Sequence, residues 1–262
     1  MDLTAPQPPA ELFSLKGRTA LVTGASSGLG ARFALLLAEA GADVVATARR
    51  ADRLAELRRL HPAIRPLPGD IDSPDDRRRI VTEATGEATG WDRVDIVVNN
   101  AGMSGPLRAE EEEPDDVLRL LSVNLVAAYA LTRDLVMAAD PPSGMSVVNV
   151  ASILGLVSGA PVGGAGYASS KAGLIGLTRE LAGQWGRRGV RVNALAPGWF
   201  PSEMTAGLFA DERSAGWVER NTMVGRPGAE HELDTALLFL VSPASSYCTG
   251  QVLAVDGGWT AR

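Results

Sequence analysis

Short apolar runs alternate with longer amphipathic ones along the whole chain, and this alternation restricts the fold more than any other feature. Residues 19–23, 44–47, 64–67, 96–98, 147–150, 190–195 and 252–255 read as strands. Residues 31–40 (closed by Gly41), 52–60, 74–85, 117–137, 167–185 and 230–240 read as helices between them. Strands that alternate with helices are joined by crossovers, which gives a mostly parallel sheet covered by helices on both faces. The expectation is an α/β protein with a doubly wound sheet of seven strands. No linker and no short-period repeat interrupts the pattern. The 262 residues therefore read as one domain, residues 14–262, behind a loose, Pro-rich arm at residues 1–13.

Composition narrows the function. Apolar residues make up 45% of the chain, enough for a large buried core, and the formal net charge is −6. That charge argues against nucleic acid or an anionic membrane surface as the main partner. Cys248 is the single cysteine, which excludes an intramolecular disulfide and a cysteine-based zinc cluster. His61 and His231 lie far apart in sequence, so no metal site is expected. The acidic stretch 110–116 reads as a favourable helix N-terminus instead. The first residues lack the basic and apolar regions of a signal peptide. No apolar stretch approaches the ~18 residues of a membrane span. A soluble cytoplasmic protein is expected.

The segment Thr23-Gly24-Ala25-Ser26-Ser27-Gly28-Leu29-Gly30 falls where the first strand hands over to the first helix. Glycine permits a tight turn there and lets a pyrophosphate approach the helix N-terminus; a glycine-rich turn without a ligand is the alternative. The second strand ends in Ala48-Arg49-Arg50. An NAD-specific site places an acidic residue about here for the ribose 2′-hydroxyl, and none is present. Arg49 can pair with a 2′-phosphate through its planar fork, which favours NADP over NAD. Otherwise Arg49 and Arg50 are solvated charges at a helix start.

Tyr167 and Lys171 stand four apart in Gly-Tyr-Ala-Ser-Ser-Lys, one turn apart on one helix face. A lysine cation there favours the phenolate and lowers a tyrosine pKa that is ordinarily near ~10. Such a tyrosine is a candidate general acid or base. Pairs of this kind also recur by chance on surface helices.

Together the glycine segment, Asn99-Asn100-Ala101-Gly102 after the fourth strand, and Tyr167 with Lys171 resemble the short-chain dehydrogenases/reductases. The likeness runs in family order from about Leu15 to Trp259. It implies a single-domain Rossmann fold, an NAD(P) cofactor and hydride transfer between the nicotinamide and a carbonyl or secondary alcohol. By this resemblance Gly24, Ser26, Ser27, Gly28, Leu29 and Gly30 hold the pyrophosphate region, and Asp70 and Ile71 meet the adenine. Asn100, Ala101 and Gly102 line the adenosine-side ribose. Pro197 and Gly198 border the nicotinamide, Phe200 offers backbone to its carboxamide, and Ser202 keeps a hydroxyl where the family often has threonine. Tyr167 is the proton donor or acceptor. Lys171 lowers its pKa and holds the nicotinamide ribose. Asn124 anchors a water that relays protons to Lys171. Asn124 is also a weak helix former inside a helical run, with local back-bonding as the alternative reading. Ser152, after the fifth strand, can hydrogen-bond a substrate carbonyl, or else simply cap the strand end. A serine hydrolase fits less well, because no histidine or Gly-x-Ser-x-Gly segment accompanies Ser152.

Two departures from the family stand out. The glycine-rich segment between Ser152 and Tyr167 is longer than expected, and Ala151 replaces a frequent second serine. Trp199, Phe200, Phe209 and Trp217, with Met204, Leu208 and Met223, fall where the resemblance places a substrate lid, at about residues 199–225. An apolar lid suggests a substrate with an apolar or ring-bearing body, and packing of a core or subunit interface is the alternative. The last run, residues 249–259, resembles the family's final strand, and such members are commonly homotetramers, or else homodimers. An epimerase, dehydratase or decarboxylase on the same scaffold is the competing reading, with a non-catalytic dinucleotide-binding regulator behind it.

Overall fold

Seven strands form one sheet, parallel at every pairing, in the computed structural model, which describes residues 7–86, 93–139 and 144–261. They are β1 (Thr19–Thr23), β2 (Asp43–Ala48), β3 (Ile64–Pro68), β4 (Ile96–Asn99), β5 (Ser146–Val150), β6 (Arg191–Pro197) and β7 (Val252–Val255). Their spatial order is β3-β2-β1-β4-β5-β6-β7. The winding therefore reverses between β1 and β4. In open α/β sheets the crevice beyond the strand C-termini at such a reversal is where ligands bind.

Helices α2 (Gly28–Glu39), α3 (Ala51–Leu60) and α10 (Asp234–Val241) cover one face. Helices α4 (Pro74–Thr85), α6 (Ala127–Ala138) and α7 (Ala165–Trp185) cover the other. Alternate strand residues divide between the faces, as a two-residue period demands. In β1, Ala20 and Val22 join Phe33 and Leu37 of α2, while Leu21 joins Leu131 and Leu135 of α6. Both faces are dry, so the strands read as continuous apolar runs. Each fully buried large side chain, Phe33 for example, contributes about 1.5–3 kcal/mol.

Three sequence expectations change. Within the expected loose arm, Pro9–Leu12 form a short exposed helix, α1, closed by Glu11 and Leu12 amides on the Pro8 carbonyl. Proline pre-sets the dihedral of such a first turn. Residues 1–6 of that arm lie outside the described residues. The expected single helix 117–137 is α5 (Pro114–Leu121), a π-helical turn (Ser122–Val126) and α6. Together they run 25 residues, Pro114–Ala138, long and apolar enough to cross a membrane by length and composition. This corrects the expectation that no such stretch exists. Leu120, Ala127, Ala128, Leu131 and Leu135 of the run are nonetheless buried in the protein, as in a core helix.

Candidate active site

At the crevice, β1 turns into α2 through the glycine segment. Gly24 and Gly28 have φ of +66° and +51°, a region that L side chains rarely enter. A Cβ on Gly24 would stand 2.7 Å from the Ala101 Cα, and one on Gly30 would collide with the Gly24 carbonyl oxygen and Asn100 Nδ2. The glycines thus let the turn press against the end of β4. Thr23 Oγ1 accepts from the Asn100 and Ala101 amides at 3.0 Å each, and Asn100 Nδ2 donates to the Thr23 carbonyl at 3.0 Å. One strand further in, Asn99 Nδ2 donates to Asn149 Oδ1 and Thr132 Oγ1, each at 2.8 Å, and Asn149 Nδ2 donates to Thr178 Oγ1 at 2.9 Å. These buried bonds fix β4 to β5, and β5 to α7.

A cleft of about 610 Å³ follows this edge. All the cofactor positions expected from the sequence line it: Gly24, Ser26, Ser27, Gly28, Leu29, Gly30, Arg49, Asp70, Ile71, Asn100, Ala101, Gly102, Pro197, Gly198, Phe200 and Ser202. Asp70 and Ile71 sit in a turn in which Asp70 Oδ1 accepts from the Asp72 amide at 3.0 Å. Gly198 donates its N–H to the Val255 carbonyl at 2.9 Å, and the Phe200 carbonyl accepts from Thr205 Oγ1 at 2.7 Å.

Ser152, Tyr167 and Lys171 face the same cleft at its inner end. Ser152 is placed by the end of β5, where its Oγ also accepts from the Leu154 amide at 3.1 Å. Tyr167 and Lys171 come from the first two turns of α7. Lys171 is buried, with Nζ donating to the Val150 carbonyl at 2.8 Å and lying 5.7 Å from the Tyr167 ring centre. Burial lowers the Lys171 pKa from 10.5 to about 8. Burial also raises the Tyr167 phenol above its ordinary value of 10, and only a hydrogen bond with Ser152 works downward. This corrects the expectation of a phenol pulled down by Lys171: desolvation outweighs the Ser152 hydrogen bond.

Asn124 sits in the π turn, fully buried, and does not line the cleft. Its Oδ1 accepts from the Met103 amide at 2.8 Å, and its Nδ2 donates to the Met103 carbonyl and Ser170 Oγ, each at 3.0 Å. A Cβ on Gly102 would lie 3.2 Å from Asn124 Oδ1 and 3.5 Å from Lys171 Nζ. Asn124 thus stands beside the lysine with its side chain committed to the Gly102-Met103 turn and α7.

Beyond Gly198 the chain forms α8 (Ala206–Ala210) and α9 (Glu212–Asn221). Trp199 and Trp217 meet edge-to-face at 5.8 Å, and Trp259 packs on them at 5.6 and 4.9 Å. Ile153, Leu154 and Tyr167 join this cluster. Of the four aromatic residues singled out in this stretch, only Phe200 lines the cleft. Among the described residues, no group of three or more His, Cys, Asp or Glu is placed to hold a metal ion.

Comparison with known proteins agrees with this architecture. A family model described as enoyl-(acyl carrier protein) reductase matches residues 24–260. A gluconate 5-dehydrogenase of Gluconobacter oxydans (strain 621H) is 36% identical over 252 residues, covering 95% of this chain and 97% of the relative. A 3-oxoacyl-(acyl-carrier-protein) reductase FabG of Vibrio cholerae is 35% identical over 249 residues, covering 94% and 98%. The crystal structure of a gluconate 5-dehydrogenase from Burkholderia cenocepacia J2315, in complex with NADP and tartrate, matches with a TM-score of 0.91 at 32% identity, covering 97% and 100%. The chain is a short-chain dehydrogenase/reductase.

As a short-chain dehydrogenase/reductase it is an NAD(P)-dependent oxidoreductase working on the carbonyl/alcohol couple. Its cleft fits a dinucleotide on physical grounds. Gly24 and Gly30 admit no Cβ, Gly28 holds a φ that side chains rarely adopt, and Ser27 gives α2 no side-chain cap, so the first-turn amides remain for an anion. Several cleft residues of this dehydrogenase escaped the sequence reading. Arg50 and Glu203 line the cleft, as do Met103, Arg119 and Val123. Arg50 carried a signal, since it adjoins Arg49 at the end of β2. Glu203 carried none, because it is 153 positions from Arg50 in sequence.

Proposed function

We propose that the protein is an NADP-preferring reductase or dehydrogenase for a small ketone or secondary alcohol, with Tyr167 as general acid and base. The observation that carries the reading is the meeting of Ser152, Tyr167 and Lys171 at one end of a glycine-lined cleft. NADP, once bound, gives or takes the hydride. Ser152 Oγ orients the carbonyl oxygen and stabilises its developing charge. Tyr167 holds the proton that passes to that oxygen in reduction, or takes it back in oxidation. Lys171, a cation below pH about 8, favours the phenolate that this transfer leaves and holds the nicotinamide ribose. Asn124 positions the Met103 backbone and α7 beside the lysine and anchors the water of the proton relay. Arg49, with Arg50 beside it, receives the 2′-phosphate, which supports NADP over NAD. The NADP in the Burkholderia neighbour supports the same preference.

Residues 199–225 act as the substrate lid of a single catalytic domain, residues 14–262. The cleft offers Met103, Val150, Ala151 and Met204, which suits an apolar or ring-bearing substrate. The names of the relatives add hydroxy-acid and oxoacyl substrates to the set worth testing. A cytoplasmic homotetramer, or homodimer, fits the family and the exposed Leu118, Val126 and Met137 of α5, the π turn and α6. The test is a panel of cyclic ketones, keto-gluconates and oxoacyl thioesters with NADPH deuterated at the transferring carbon. The expected result is NADPH oxidation with deuterium on the new carbinol carbon. Substrate turnover with no net NADPH oxidation would favour the epimerase or dehydratase reading.

A further inference from the structure

The cofactor cleft is crossed at its mouth by a network that neither the glycine segment nor the catalytic group explains. Arg50 Nε donates to Ser26 Oγ at 3.1 Å, and Nη2 donates to Ser27 Oγ at 2.6 Å. The same guanidinium donates to both carboxylate oxygens of Glu203, at 3.1 and 3.5 Å. Glu203 lies in the turn Ser202–Thr205, held by a Thr205 amide on Ser202 Oγ. This turn also abuts the glycine segment, since a Cβ on Gly28 would be 3.7 Å from the Ser202 Cβ. Ser26, Ser27, Arg49, Arg50 and Glu203 all line the cleft. Arg50, and after it Ser27, hold the Glu203 carboxyl below its ordinary range.

A guanidinium fork takes one planar pair of oxygens well, whether from a carboxylate or from a phosphate. A 2′-phosphate brings close to two negative charges at neutral pH. It cannot share the whole fork with a carboxylate, and it repels one left beside it. We propose that Glu203 is a specificity-determining residue that competes with the cofactor's 2′-phosphate for the Arg50 guanidinium. Binding of the phosphorylated cofactor moves Arg50 from the lid turn to the cofactor, whereas the unphosphorylated cofactor leaves the Arg50–Glu203 pair closed. The inference rests on the proposed seating of the 2′-phosphate at Arg49 and Arg50. Arg50 and Glu203 side chains are 43% and 59% exposed, so the pair is weak and the effect is modest.

The experiment is calorimetric titration of the full chain with NADPH and with NADH, without substrate, for wild type, E203Q, E203A and R50A. Melting curves check that each variant is folded. E203Q and E203A should each tighten NADPH about two- to fivefold while leaving NADH unchanged, and R50A should weaken NADPH far more than NADH. Unchanged or weakened NADPH binding in both Glu203 variants, or an equal shift for the two cofactors, overturns the competition. If R50A is selective and the Glu203 variants are not, only the role of Glu203 falls. If R50A shifts both cofactors equally, the 2′-phosphate seating at Arg50 falls, and the inference with it.

Discussion

At the cofactor end of the cleft the floor is main chain, whereas the segment proposed as the substrate lid is held together by side chains packed behind the cleft. Around Gly24 and Gly30 the backbone itself approaches the end of β4, and Thr23 and Asn100 bind it there. Around Trp199, Trp217 and Trp259 three rings from distant segments pack edge to face, and Met204, Met223 and Val224 stay exposed nearby. Backbone seating leaves little room for variation, because a Cβ added at Gly24 or Gly30 meets backbone. The residues proposed for proton transfer stand between the two regimes: Lys171 is locked to the Val150 carbonyl, while Tyr167 touches the tryptophan cluster.

The sharpest challenge to this contrast is Ser152→Ala. It removes the group proposed to meet the carbonyl oxygen, and kcat should fall about 100- to 1000-fold with NADPH affinity kept. Lys171→Met comes next. A buried lysine lowered from 10.5 to about 8 costs the fold about 3 kcal/mol when protonated. Turnover should collapse, while the melting temperature at pH 7 holds or rises despite the lost bond to Val150. The unfolded chain binds more protons than the folded one between about pH 8 and pH 10. Wild-type stability therefore rises with pH through that window, and the gap to Lys171→Met narrows. Thermal melts of both proteins across pH 7–10 read this directly.

Arg49→Ala should weaken NADPH about tenfold or more, against about twofold for NADH, by fluorescence titration. An equal loss for both cofactors would leave Arg49 a solvated charge. Trp217→Leu has the smallest expected effect. Loss of the edge-to-face contacts should raise the substrate KM about two- to tenfold and leave the NADPH Kd within about twofold. A matching loss of NADPH affinity would show that lid and cofactor seat are not mechanically separate.

The two regimes also differ in how far sequence reveals them. Strand–helix alternation is local, so all seven strands and the sheet they form were legible, as was the glycine turn. Asn124 stood out as a poor helix former, but the π turn that holds it and its long-range bonds to Met103 and Ser170 have no local signature. The tryptophan cluster unites residues 199, 217 and 259, far apart in sequence, whereas the Asp211 cap of α9 was a local signal that the sequence reading passed over. The Tyr167 pKa illustrates the same limit. Helical spacing correctly put Lys171 one turn away, but the burial that raises the phenol is a property of the packed site.

Single-turnover oxidation of bound NADPH by Tyr167→Phe, on a ketone that the wild type reduces, tests the central assignment most directly. The phenol should matter to proton transfer alone, so the rate should drop about 100- to 10,000-fold while the NADPH Kd stays within about threefold. A variant that reduces the ketone at a rate near that of the wild type would contradict the account.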